Sequence, residues 1–312
     1  MASSPPTRGW EAITLLPNPL PGFALSDVDL STRILGRACA LPLLLEAGDG
    51  AEPAALLAAA RAAGTPVNLG PLDTLASGSL PPAPDEPHPP TLAEVRLTQL
   101  RSKDVEELAG RVGTLSLDAL ILRLDLATAA ITGTPGALED GLELIAELNR
   151  ELPVPLVVRD QAGLPRTTAR ALAERGVAAL ITGGSEVFAG ALRGRTGDER
   201  AARFQRWGVP ALAAIRMLRG VGPSVISDGA VAGGLDAAKA IALGADLVVY
   251  QHDSIAPHAL EDFTGMLRTA MYLTGARQLN ALRAVPFVAT GETREWLEAA
   301  ESLWRGDSSG RV

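Results

Sequence analysis

The chain has 312 residues, enough for one large domain or two ordinary ones, and with 47% hydrophobic and 21% charged residues it can bury a sizeable core and is not a disordered chain. Its 28 basic against 36 acidic residues, net −8, exclude a broad nucleic-acid-binding face but leave room for a local basic pocket around a phosphate. The single Cys39 cannot form an internal disulfide, no apolar run reaches the roughly 18 residues of a membrane span, and the opening MASSPPTRGW lacks the basic and apolar regions of a secretory signal, so a soluble cytoplasmic protein is expected.

Short apolar runs alternate with longer stretches of helical periodicity. In chain order the candidate strands are Leu41–Leu45, Pro66–Leu69, Glu94–Thr98, Ala119–Leu124, Pro155–Val158, Ala178–Thr182, Ala211–Ile215, Ser224–Ser227 and Asp246–Tyr250. Between them Pro53–Ala63, Asp104–Val112, Leu138–Leu148, Arg166–Arg175 and Leu235–Leu243 place apolar residues three and four apart, as helices packed on one side do. Such alternation implies a parallel sheet, open or closed. Nine runs are one too many for an eight-stranded barrel, so Ala211–Ile215 is read as a short extended segment feeding a helix. The fold class expected is a TIM (β/α)8 barrel over residues 1–312, counted as one domain, with a two-helix extension, Leu260–Tyr272 and Glu292–Trp304, joined through Pro286. Pro81–Pro90, almost entirely proline and acid, reads as an extended loop in which His88 is solvated.

Barrel enzymes carry their chemistry on the loops that follow the strands. Those loops offer Glu46, Asp125, Arg159, Asp160, Gln161, Gly183, Gly184, Ser185, Ser227, Asp228 and Gly229, while Gly244 and Ala245 come just before the last strand. Glycine-bearing turns beside the final strands suit a phosphate, because backbone N–H groups and a helix terminus can face the anion. No Cys/His zinc cluster, Walker lysine loop or G-x-S-x-G elbow is present. His252 and His258 follow the last strand without a partner at motif spacing.

Three blocks resemble the type 2, FMN-dependent isopentenyl diphosphate isomerases: LPGFALSDVDLSTRILGR at 20–37, LDAAKAIALGAD at 235–246, and the tail LRTAMYLTGARQLNALRAVPFVATGETREWL at 267–297. The resemblance covers about residues 17–300. It implies a TIM barrel that interconverts isopentenyl and dimethylallyl diphosphate, with reduced FMN as acid–base catalyst, NADPH as the reductant of the flavin, magnesium on the diphosphate, and a homo-oligomer. It carries Gly229, Gly244 and Ala245 onto the FMN phosphate cradle, Ser185 near that phosphate, Gln99 into the third-strand motif, and Arg159 onto a lysine facing the flavin. Arginine keeps that charge but is longer and forked.

Other positions depart from the pattern. The basic N-terminal Asp-His segment is missing, and the Met-Thr-Gly-Gly loop is replaced by Glu46-Ala47-Gly48-Asp49-Gly50. Glu94 and Arg96 stand for an Asn and a Gly, Arg123-Leu124-Asp125 for His-Leu-Asn, Thr128 and Ala129 for the Gln-Glu pair that meets magnesium, and Asp228 for the first Gly of the phosphate loop. No metal ligand is therefore assigned, and Arg159, Asp160 and Asp125 remain the catalytic candidates, the last two as substitute carboxylates. Three functions follow: a divergent isomerase acting on a small phosphorylated isoprenoid; a catalytically degenerate member serving as a ligand-binding, structural or regulatory subunit, alone or in a hetero-oligomer with a true isomerase; and, ranked last, an FMN oxidoreductase.

Overall fold

The computed structural model describes residues 9–47, 52–76, 80–81, 87–101, 104–133, 140–192, 198–229, 231–252 and 257–307. Eight strands rich in Leu, Ile, Val and Ala form its centre: β1 Leu43–Ala47, β2 Val67–Pro71, β3 Thr91–Arg96, β4 Ala119–Arg123, β5 Leu156–Asp160, β6 Ala179–Thr182, β7 Ser224–Ser227 and β8 Leu247–His252. All pair in parallel in chain order, and β8 returns to β1, registering Val248 on Leu43 and Gln251 on Glu46, so the barrel is closed. Closure satisfies every edge strand without a partner chain.

The helices fall where the periodicity predicts, including Pro53–Ala63, Val105–Thr114, Gly141–Glu151, Arg166–Glu174 and Gly234–Leu243. Ala211–Ile215 needs correction. It is not extended but opens the helix Ala211–Leu218, in which seven of eight residues are buried. Sandwiched between the barrel and the terminal helix Gly291–Asp307, it carries a single polar residue, Arg216, too little to betray a helical period. The tail helices Pro257–Leu273 and Gly291–Asp307 are joined by a short strand, Phe287–Ala289, that pairs antiparallel with Ile13–Leu15 and ties the two ends of the fold together.

Inside the barrel, side chains two apart on a strand share a side. Leu44, Leu92, Ala119, Ile121, Val157, Ala179, Ile181, Ile226, Leu247 and Val249 form the apolar interior. Its lower end is closed by the hairpin Thr32–Ile34/Arg37–Cys39, which inserts Ile34 and Cys39. Burial pushes the Cys39 thiol up to about 11. His88 is not solvated: its side chain is largely buried at this end, with Nε2 3.2 Å from Asp118 and 3.3 Å from Arg37. Residues 82–86 of the proline loop, and residues 48–50 of the replaced loop after β1, lie outside the described residues.

Candidate functional site at the barrel mouth

Two residues above the apolar layer, the same alternation turns the strand ends inward. Leu44, Leu92, Ile121, Val157 and Ile226 are followed by Glu46, Glu94, Arg123, Arg159 and Asp228. The C-terminal mouth is therefore floored by charge, and Glu46, Asn68, Glu94, Arg159 and Asp228 are all under 9% exposed.

Arg159 is the hub. Its Nη1 and Nη2 donate to the two carboxylate oxygens of Glu46 at 2.6 and 3.1 Å, a bidentate pair. Nε and Nη2 donate to Asp228 Oδ2 at 3.1 and 2.7 Å, and Nη1 reaches Glu94 Oε2 at 3.4 Å. Asn68 donates from Nδ2 to Glu46 at 2.8 Å and to Glu94 at 3.2 Å. Arg123 extends the layer, donating to Glu94 Oε1 at 2.6 Å and lying 2.8 Å from Asp125 Oδ2. Six of the eight strands are thereby tied across the mouth.

The electrostatics follow from this pairing. Burial opposes the charge on Arg159, but Asp228, Glu46 and Glu94 outweigh it and hold the guanidinium well above its ordinary pKa. Burial likewise works against Glu94, yet Arg123 and Arg159 bring its carboxyl below the usual range. Asp228 goes the other way: desolvation, reinforced by Glu46, pushes it up to about 6 against the pull of Arg159. Asp160 is also raised to about 6, chiefly by burial and then by the charge of Asp125, while its Oδ1 accepts from the Ala162 N–H.

Of the catalytic candidates, then, Arg159 is locked in ion pairs and Asp125 is paired with Arg123 through Oδ2, its Oδ1 buried without a partner. Asp160 has its carboxyl pushed up to about 6 by burial. His258 is exposed on the helix Pro257–Leu273, and His252 closes β8. Gln99 lines a cleft of about 410 Å³ beside the mouth, with Asp73, Glu94, Arg96, Arg111 and Arg123.

The residues carried onto a phosphate cradle do not converge. Gly244 and Ala245 precede β8, so they lie at the opposite end of the barrel from Arg159. Gly244, at φ 133°, caps the helix Gly234–Leu243, and its N–H donates to the carbonyls of Ala240 and Ile241; Ala245 N–H donates to Ala240. This corrects their placement beside an anion at the mouth. Ser185 and Gly229 do lie at the C-terminal end, yet Ser185 N–H donates to Val209 O and Gly229 N–H to Ser227 Oγ. The space beside Gly229 is taken by Trp10, whose indole Nε1 donates to Gly229 O at 3.2 Å and whose ring would lie 3.2 Å from a Cβ at that glycine.

Among the described residues, those carried onto the flavin site do not fit an FMN: at the mouth the Ser185 and Gly229 amides already have protein acceptors, and Arg159 is taken up by Glu46 and Asp228. Magnesium fits no better: Ala129 offers only a methyl group, and among the described residues no group of three His, Cys, Asp or Glu side chains is suited to a metal ion.

Asn68, Trp10 and the pairing of Arg159 with Asp228 escape the sequence reading. The signal that reaches the last of these is the two-residue period carried one step past the apolar run.

No family model matches the chain. Isopentenyl-diphosphate delta-isomerases do: that of Xanthobacter autotrophicus is 32% identical, the alignment covering 89% of this chain and 90% of the relative. Those of Cronobacter sakazakii (32%; 88% and 88%) and Methanothermobacter thermautotrophicus (30%; 93% and 89%) are similar over the same extent. Among solved structures, a mandelate oxidase mutant with a monooxide FMN adduct superposes with a TM-score of 0.67 at 19% identity, covering 90% of both chains. Mandelate oxidase with benzoyl-formic acid gives 0.64 at 19% identity, covering 90% of this chain and 88% of that one. At that identity the structures attest the shared barrel alone.

Proposed function

Within the isopentenyl-diphosphate delta-isomerase family, to which this chain belongs, we propose that it is a catalytically degenerate member: a barrel that keeps the family scaffold, does not interconvert isopentenyl and dimethylallyl diphosphate, and serves as a structural or regulatory subunit. The observation that carries this reading is the state of Arg159. At the position where the resemblance puts a flavin-facing lysine, its guanidinium is bound by Glu46 and Asp228 at 2.6–3.1 Å and has no donor left for a ligand in their place. A fold can outlast the chemistry of its relatives, because function resides in the site. A scaffold role is compatible with a homo-oligomer or with a mixed oligomer containing a genuine isomerase of the family.

The rival reading, a divergent isomerase using reduced FMN and magnesium, draws on the 32% identity over nearly the whole chain. Two measurements separate them. The purified protein should be colourless, gain no flavin band with added FMN, and leave isopentenyl diphosphate unchanged when supplied with reduced FMN and magnesium. A yellow protein that forms dimethylallyl diphosphate under those conditions overturns the proposal.

A further inference from the structure

The layer at the mouth does more than lack a cofactor site; its composition selects against one kind of molecule. It sets Glu46, Glu94 and Asp228 against Arg159 and Arg123, and Asp125 adds a fourth carboxylate on Arg123. With Arg96 3.8 Å from Asp125 as a third guanidinium, four acids on three guanidiniums leave the layer with an excess of negative charge, except where a proton is retained. Two of those acids have a special place. Glu46 and Asp228 come from β1 and β7, flank β8, and together occupy all three nitrogens of Arg159. Asp228 also immediately precedes Gly229, so its charge lies beside the turn that would otherwise face a phosphate.

We propose that Glu46 and Asp228 form a built-in lock that excludes phosphorylated flavins from the barrel mouth, and that removing both carboxylates releases Arg159 and lets FMN enter. The lock acts in two ways. The carboxylates fill the layer and consume the buried Arg159 guanidinium, and they repel a dianionic phosphate in a low-dielectric setting where charge pairs interact strongly. Removing them reverses both effects: Arg159, left with Glu94 at 3.4 Å, becomes a buried cation with free donors that seek an anion or an electron-rich ring oxygen. This inference rests on the degenerate reading of the site, and names the residues that enforce it.

The test compares wild type, Glu46→Ala/Asp228→Gly, and the near-isosteric Asp228→Asn, each titrated with FMN and with riboflavin by quenching of flavin fluorescence. Circular dichroism melts verify that each variant is folded. Wild type should show no saturable binding of either flavin. The double variant should bind FMN at least about tenfold more tightly than wild type, and prefer it to riboflavin because the gain is a phosphate gain as well as a space gain. Asp228→Asn should show a smaller gain in the same direction at pH 8, where the wild-type carboxyl is ionised. A folded double variant that binds FMN no better than wild type sinks the lock and leaves the degenerate reading standing. If the double variant does not fold, Asp228→Asn decides, and no gain over wild type sinks the lock equally. Wild type that itself binds FMN tightly overturns both.

Discussion

Replacing Arg159 by Met should be the most damaging single change in the layer. The side chain keeps similar length and loses every donor, so five contacts to Glu46, Asp228 and Glu94 go at once. Glu94 retains Arg123 at 2.6 Å and Glu46 retains Asn68 at 2.8 Å, but Asp228 keeps no comparable partner. Breaking a buried ion pair by removing one partner costs about 3–5 kcal/mol, because the surviving charge stays desolvated. Against a typical total stability of about 5–15 kcal/mol this is a large fraction. At roughly 2 °C per kcal/mol for a chain of this size, the melting temperature should fall by about 6–10 °C at pH 8. The loss should shrink at pH 5, where the orphaned carboxylates can take up protons and cease to be buried charges. Removing the charges together should be far milder: a triple variant with Arg159→Met, Glu46→Leu and Asp228→Leu should recover most of the loss, since well-packed apolar groups often replace a buried ion cluster at little cost. Thermal melts by circular dichroism at the two pH values are sufficient. An Arg159→Met protein melting within about 1 °C of wild type at pH 8, or a triple variant as unstable as the single one, would falsify the account of the layer as a mutually dependent unit.

Two further outcomes follow from particular residues. Asp160 has its folded pKa raised to about 6 by burial, above the ordinary 3.8, so its proton favours the native state. That contribution is complete below the ordinary value and is lost as pH rises through about 6. Asp160→Asn, which mimics the protonated form, should therefore match wild type near pH 4 and exceed it by about 1–2 kcal/mol at pH 8 in urea denaturation; an advantage at pH 4 that vanishes at pH 8 would show the shift to have the opposite sign. Gly244 sits at φ 133° at the end of its helix, a conformation that L side chains rarely adopt. Gly244→Ala should cost about 1–2 kcal/mol through backbone strain, with no change at the opposite, mouth end of the barrel. A Gly244→Ala protein as stable as wild type would show that the turn adjusts freely.

The barrel was legible because its strands are short apolar runs of the right number and its helices carry a clear period. Errors came where burial or charge hid that period. The helix Ala211–Leu218 is apolar but for Arg216, and the five-residue apolar run that opens it cannot be told from a strand without knowing what covers its second face. The first strand was expected to end at Leu45, whereas it runs to Ala47, and the third was expected to begin at Glu94, whereas it begins at Thr91. In both cases the difference lies at a buried glutamate, and an acid inside a barrel is intelligible only once its arginine is known. That arginine is 113 residues from Glu46 and 69 from Asp228 in the chain, and only closure of the sheet brings them together. Gly244 and Ala245 show a different gap. Resemblance identifies a block of sequence, but which end of the barrel it occupies depends on strand direction, and a residue before a parallel strand lies opposite one after it.

The pairing pattern also bears on how so many charges coexist in the barrel mouth. A site decaying by independent changes would strand charges in the interior, and each stranded charge would cost several kcal/mol. Here the replacements answer one another: Glu46 and Asp228 have Arg159, Glu94 has both arginines and Asn68, and Arg123 holds Asp125. No single member is tolerable without its partners, since Arg159 alone would be an unpaired buried cation and Asp228 alone an unpaired buried anion. The layer is thus a coherent packing solution, in which each of its acids that departs from the family pattern is matched by an arginine at a strand end.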